Sequence, residues 1–274
     1  MKTPVINQQD IRDSIFSTIA DQIFVADIRV ERDGILAGVN RLKTALLELG
    51  VTIDYLAEDG GTVKAGDFVV TISGSPKQLA LAEEFAIGLL AKTSGIATAA
   101  RRAVALAGGE LRIVAGAWKK VAPELKWSVR EAVATGGAAF RISDQPFLYL
   151  DKNFVRLLGG IRETLAAVAA MDDKIKSIQV KGESGDILDE ALLAVHSGAD
   201  ILMVDTGNLQ DVLRINQLLI QTNQRHKIKI AFAKGIGVEA IPSLKGLGID
   251  ILDIGTGIID APLLDMKLDV RKRG

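Results

Sequence analysis

The sequence predicts an α/β fold: an incomplete, TIM-like α/β barrel of parallel strands, with a smaller N-terminal α/β sandwich domain. The second half repeats short, β-branched apolar runs that break off into Gly, a carboxylate or Lys: KSIQVKGESG (176–185), ADILMVDTGN (199–208), IKIAFAKGIG (228–237) and IDILDIGTGI (249–258). None alternates polar with apolar, which is the pattern of strands buried on both faces. Amphipathic stretches of helical length separate them. In such a barrel the side chains at strand carboxyl ends converge on one face, and the loops after the last strands hold phosphate.

The first hundred residues have another texture. A polar helix is expected near Gln8 to Asp21, strand-like alternation over 24–39, an amphipathic helix over 41–50, and a pair of Gly-punctuated strands over 52–75. From Pro76 to Ala107 the pattern turns helical, with Leu79, Leu81, Phe85, Leu89, Leu90 and Ile96 at one-face spacing. Gly108 and Gly109 interrupt it before LRIVAGA (111–117), the first expected barrel strand. The expected domains are therefore 1–107 and 108–274, with a last strand at 266–270 returning to the first.

A chain of 274 residues, 48% hydrophobic, is long enough for one large or two smaller cores. Thirty-three basic against 34 acidic residues leave a net charge of −1, so no overall field favours nucleic acid or an anionic membrane. The basic run at 271–274 reads as a solvated tail. Zero cysteines exclude disulfides and thiolate chemistry, and no apolar stretch reaches spanning length. The expectation is a soluble, cytoplasmic protein that binds neither nucleic acid nor membrane.

The loops AKGIG (233–237) and GTGI (255–258) follow the last two expected strands. Lys234, Gly235 and Gly237, with Gly255, Thr256 and Gly257, are the candidate phosphate-binding residues: Gly permits close backbone approach and helix-start amides receive phosphate. Gly that merely allows a tight turn is the alternative. Lys119, Lys120, Arg141 and Lys152 form a basic set at one barrel mouth, as for an anionic ligand, or are scattered surface charge. Asp205, ending an apolar strand, is a candidate for a magnesium or ribose contact, or else a cap for the following turn. Glu183 is a weaker metal candidate in a Gly-rich turn, and Asp253 and Asp260 read as structural. His196 and His226 lie away from strand ends and form no zinc site. Ser94 has no base nearby and reads as a cap or packing residue. Trp118 and Trp127 are stacking candidates, Trp127 with core packing as the alternative.

The runs AEEFAIGLLAKTSGIATAARRAV (82–104), RIVAGAWKKVAPELK (112–126) and REAVATGGAAFR (130–141), with the closing IGTGIIDAPLLDMKLDV (254–270), resemble the quinolinate phosphoribosyltransferase family over essentially the whole chain. The resemblance implies two domains, an incomplete barrel and a homodimer. It also implies that the neighbour completes the active site, here through Arg101 or Arg102. Members join quinolinate to phosphoribosyl pyrophosphate with magnesium, releasing carbon dioxide and pyrophosphate.

The family's motifs are altered. An Arg after Ser-Gly-Ile-Ala-Thr is Ala99 here; Asp-Thr-Arg-Lys-Thr becomes Ala117, Trp118, Lys119 and Lys120 with their neighbours. The His-Arg pair is Phe140 and Arg141, and Lys-Asp-Asn-His appears as Asp151, Lys152, Asn153 and Phe154. Two glutamates become Gln179 and Lys181, and a further one aligns with Ala231, while Asp205 stays in place. Losing carboxylates and gaining Lys181 and Lys234 weakens the expected magnesium site. The reading is a phosphoribosyltransferase-like protein with an acceptor other than quinolinate; a catalytically silent relative that binds a phosphorylated metabolite is the alternative.

Overall fold

The computed structural model describes residues 10–116 and 118–271, without the Trp118 side chain. Ala117 of the altered motif, the Trp118 ring, Gln8 and Gln9 of the expected first helix, and Lys272 to Gly274 of the basic run lie outside the described residues.

In chain order the elements are α1 (Ile11–Ile15), β1 (Phe24–Val30), β2 (Gly34–Ile35), α2 (Val39–Leu49), β3 (Thr52–Leu56), β4 (Thr62–Val63), β5 (Phe68–Gly74) and α3 (Pro76–Ala107). They continue with β6 (Arg112–Val114), α4 (Lys126–Thr135), β7 (Phe147–Leu150), α5 (Lys152–Leu158), α6 (Ile161–Ala167), β8 (Ile175–Val180) and α7 (Ile187–His196). The last are β9 (Ile201–Val204), α8 (Leu209–Gln221), β10 (Lys229–Phe232), α9 (Ile241–Leu244), β11 (Ile251–Asp253), α10 (Thr256–Ile259) and β12 (Met266–Val270). Two compact units result: residues 1–98, 127–135 and 261–274 form one, and 99–126 with 136–260 form the other. The division falls inside α3.

The first unit holds a four-stranded sheet in the order β12-β1-β5-β3, with β1 antiparallel to both neighbours and β5 antiparallel to β3. Its core joins Ala26, Ile28, Val70 and Ile72 of the sheet to Leu42 and Leu46 of α2 and to Leu79, Ala82, Ala86 and Leu90 of α3. The fully buried stripe of α3 runs through alanines, with Leu81, Phe85 and Leu89 on its flanks half-buried. Small residues let a helix approach a sheet closely; of the large side chains picked out by periodicity, Leu79, Leu90 and Ile96 are buried, while Leu81, Phe85 and Leu89 border the contact.

The Ser-Gly-Ile-Ala-Thr run clamps this unit. Ser94, fully buried, accepts from Ala37 N at 2.9 Å, and Thr98 Oγ1 accepts from Ile35 N at 2.8 Å. A Cβ on Gly95 would stand 2.0 Å from the Pro262 carbonyl oxygen. The basic run is not wholly solvated, because Arg271 forks onto the buried Asp27 through Nε at 2.7 Å and a terminal nitrogen at 2.9 Å. That hydrogen-bonded guanidinium holds the Asp27 carboxyl below its ordinary pKa.

The second unit is a six-stranded parallel sheet in the order β6-β11-β10-β9-β8-β7. Between β6 and β7 the described residues show one isolated bridge, Val114 to Ala139, so the barrel is incomplete. Its interior packs Val114, Ile142, Ile201, Met203, Ala231 and Ile251. Strand β7, FLYL, falls outside the run pattern of the other strands because Tyr149 interrupts its apolar sequence. No described helix is long and apolar enough to cross a membrane.

Candidate functional site

The barrel unit holds a cavity of about 500 Å³ at the carboxyl ends of its strands. Its apolar lining comes from Val114, Ile142, Phe147, Met203 and Ala233. Three carboxylates reach it, Asp151, Asp205 and Asp253, with Tyr149 and Gln179, and around them stand Lys119, Lys120, Arg141 and Lys152. The four cations predicted from sequence are therefore brought together, and with them Asp205. Lys120, Arg141 and Lys152 form no ion pair among the described residues, and the Arg141 guanidinium carbon lies 5.6 Å from the centre of the Phe140 ring.

Each carboxylate has a distinct setting. Asp151 precedes α5 and caps it, accepting from the amides of Asn153 at 2.9 Å and Phe154 at 3.3 Å. It also pairs with the Lys119 ammonium. Burial pushes its pKa up, but Lys119 and the two amides outweigh this and hold it below the ordinary carboxylate range. Asp205 accepts from Lys181 Nζ at 3.1 Å and from the Gln179 amide, and its carbonyl oxygen accepts from Lys181 at 3.0 Å. Gln179 and Lys181 thus hold this acid. Asp253 accepts from Gly116 N at 2.8 Å and has no cationic partner among the described residues. Burial pushes its carboxyl up to about 6, and the charge on Asp205 adds to this against the Gly116 bond. The Tyr149 hydroxyl is raised by burial and by Asp253, Asp205 and Asp151.

Asp253 was read from sequence as structural, yet it lines the cavity, as Tyr149 does. The signal for Asp253 was available: ILD ends in an acid just as ILMVD ends in Asp205. Glu183 is exposed and forks onto Arg156 at 2.9 Å through two bonds, and it is not among the cavity's lining residues. The residue that organises its turn is Glu190, buried and accepting from the amides of Lys181, Gly182 and Ser184 at 2.8–2.9 Å. Arg101 donates to Gly136 O at 3.1 Å, and Arg102 pairs with Glu239 at 2.9 Å. Trp127 is exposed, its indole donating to Glu131 at 2.8 Å, so it is not a core residue.

The Gly loops lie side by side. A Cβ on Gly257 would stand 3.8 Å from Val238 N, and one on Gly207 would stand 2.7 Å from Lys234 O. Lys234 and Gly235 have φ of 83° and 74°, a left-handed pair in which Lys234 is a non-glycine outlier. Gly237 precedes the short 3-10 turn Val238–Ala240, and Gly255 precedes α10.

The raised Asp253 carboxyl has a stability consequence. With a folded pKa of about 6 above the unfolded 3.8, the folded state holds its proton longer. Stability contributed by the neutral form is present below the lower value and lost as pH rises through the higher one. Asp253→Asn, which keeps an acceptor for Gly116 N, is expected to match the wild type near pH 4 and exceed it above pH 6 by on the order of 1–3 kcal/mol. Denaturant unfolding across this pH range checks it; equal pH profiles would refute it.

Relatives share this plan. The family model for the quinolinate phosphoribosyl transferase C-terminal domain matches residues 96–269, and that for the N-terminal domain matches 10–94. The chain is 28% identical over 254 residues to a probable nicotinate-nucleotide pyrophosphorylase (carboxylating) of Methanothermobacter thermautotrophicus, covering 90% of this chain and 88% of that one. It is also 28% identical to the Homo sapiens nicotinate-nucleotide pyrophosphorylase (carboxylating), covering 86% and 78%. Among solved structures, NadC from Streptococcus pyogenes superposes with a TM-score of 0.77 at 25% identity over 94% of this chain and 92% of that one. Both family domains are matched in order, and the incomplete barrel agrees with the fold of the solved relatives: the chain belongs to the quinolinate phosphoribosyltransferase family.

Proposed function

We propose that the protein binds a phosphoribosyl or nucleotide ligand at the barrel mouth and, as a phosphoribosyltransferase, uses an acceptor other than quinolinate. The observation that carries this reading is the division of charge in the cavity. Cations stand at its rim, where Lys119, Lys120, Arg141 and Lys152 are exposed, while half-buried or buried acids stand within. The rim suits phosphates; the inner carboxylates repel a pyridine dicarboxylate. Magnesium has a poor donor set here, because Asp205 is already neutralised by Lys181, and no group of three or more His, Cys, Asp or Glu able to hold a metal occurs among the described residues. We assign Asp205 to ligand positioning. A homodimer fits the exposed Phe154, Leu157 and Leu158 of α5, an apolar patch of the kind an interface covers; a monomer by light scattering at micromolar concentration would exclude it.

The phosphate contacts are assigned to Lys234–Gly237 and Gly255–Gly257, the left-handed loop and the turn that adjoins it. Calorimetry with phosphoribosyl pyrophosphate and with inorganic pyrophosphate tests this. Binding is expected in the wild type and a loss of at least about tenfold in Gly235→Val, since a β-branched residue at this φ costs about 1–3 kcal/mol and distorts the loop. Unchanged affinity would sink the phosphate assignment. Binding without turnover of any acceptor would favour a silent sensor over a transferase.

A further inference from the structure

Asp253 is the one cavity carboxylate of the three without a cationic partner among the described residues. Its position is nevertheless fixed. Oδ1 accepts from Gly116 N at 2.8 Å, and a Cβ on residue 116 would stand 2.3 Å from Oδ2 and 2.8 Å from Oδ1, so the carboxyl is seated against a glycine that alone leaves room for it. Oδ2 accepts no hydrogen bond from the described residues. It shares the cavity with Tyr149, whose hydroxyl has no hydrogen-bond partner among them either, and with the apolar Val114, Phe147, Met203 and Ala233.

A carboxylate held in an apolar lining without a counter-charge is costly unless a ligand completes its hydrogen bonding. What completes it must be a donor. A ligand carboxylate at the same place would meet a like charge in a partly desolvated site, whereas an N–H on a flat ring would satisfy Oδ2 and bury its faces against Phe147 and Met203. We propose that Asp253 is the specificity-determining residue of this cavity, accepting a hydrogen bond from the ring N–H of an azole-type nitrogen heterocycle and rejecting pyridine dicarboxylates. This rests on the barrel-mouth reading for the anionic part of the ligand, which the rim cations hold; it adds the chemical class of the ring. Sites built to hydrogen-bond a ligand N–H discriminate strongly against analogues that lack it, because the buried acceptor is then left unpaired.

Calorimetry at about pH 8, where Asp253 is ionised, tests the inference with three probes: imidazole carboxylate, its ring N-methyl derivative and quinolinate, each with inorganic pyrophosphate present. The wild type is expected to bind imidazole carboxylate at least about tenfold more tightly than either of the others. In Asp253→Asn the amide oxygen keeps the Gly116 bond while the amide nitrogen replaces Oδ2, turning an acceptor into a donor. That variant is expected to lose the N–H preference and to bind quinolinate at least about tenfold better than the wild type does. Equal wild-type affinities for the N–H and N-methyl rings, no binding of either ring, a wild-type preference for quinolinate, or selectivity unchanged in Asp253→Asn would each overturn the inference. The comparison of the two azoles uses only the wild type and stands even if the variant fails to fold. Pyrophosphate binding without ring discrimination removes Asp253 from the role and leaves the barrel-mouth reading intact; ring discrimination without pyrophosphate binding does the reverse.

Discussion

Quinolinate turnover with phosphoribosyl pyrophosphate and magnesium is expected to fall at least about a hundredfold below that of a carboxylating family member. Removing one preorganised donor from such a site costs about that much by itself. The family resemblance implies donors at the positions of Ala99 and Phe140, which supply none from their side chains, and Gln179 and Lys181 are occupied with Asp205. The electrostatics act in the same direction. Two like charges about 4 Å apart at an effective dielectric near 20 repel by about 4 kcal/mol, and a diacid entering this cavity meets Asp253, which has no cationic partner among the described residues. A turnover of about 1 per second or faster, within the ordinary enzyme range, would show that the substitutions are tolerated. Simple restoration is also limited by packing: Ala231 is fully buried between Met203 and Ile251, so a glutamate there would overpack the barrel interior, whereas Gln179→Glu with Lys181→Glu alters only half-buried side chains.

Gly95→Ala is expected to destabilise the protein by about 3 kcal/mol or more. The sign is informative because local propensity points the other way. Gly95 lies inside the 32-residue helix α3, where alanine is ordinarily better than glycine by about 1 kcal/mol. The added methyl would stand 2.0 Å from the Pro262 carbonyl oxygen and 3.0 Å from its carbon, and these are backbone atoms that cannot rotate away. The segment that must shift carries the Leu264 amide, which donates to Ala91 O at 3.0 Å. Thermal unfolding should show a midpoint lower by roughly 10 °C, while Gly88→Ala in the same helix, where a Cβ meets nothing within 4 Å, should be neutral or stabilising. A stabilised Gly95→Ala would mean that the contact relaxes without cost.

How much was legible follows from which physical signal each part leaves. Strands β8 to β11 announce themselves as short apolar runs broken off by Gly or charge, most plainly β9, whose four positions are all apolar and buried; β7 does not, since Tyr149 breaks the run at the cavity. The Ser-Gly-Ile-Ala-Thr run was recognisable as a family mark, but its physical work is a long-range approach of α3 to residues near 37 and 262 that no local pattern encodes. Lys119, Lys120, Arg141, Lys152 and Asp205 were identifiable because charge at the end of an apolar strand or beside a Gly loop is conspicuous. Asp253 left the same mark as Asp205 and was passed over, because its significance lies in lacking a cationic partner among the described residues. That can be seen only when the neighbours are known. Glu190 shows the converse: no reading of the sequence singled it out, and it is buried by a turn that folds back upon it.

The position of β12 in the first sheet governs the order in which this protein can be built. Its partner β1 leaves the ribosome more than two hundred residues earlier, and the bond between Arg271 and Asp27 closes a separation of 244 positions. Until the last strand is delivered, β1 has one uncovered edge, and Asp27 has no guanidinium to balance it. An open strand edge invites pairing with other chains, and contacts so distant in sequence slow the search that forms them. The sheet whose strands β1, β3 and β5 are synthesised before the barrel unit is therefore finished only after it, when β12 arrives.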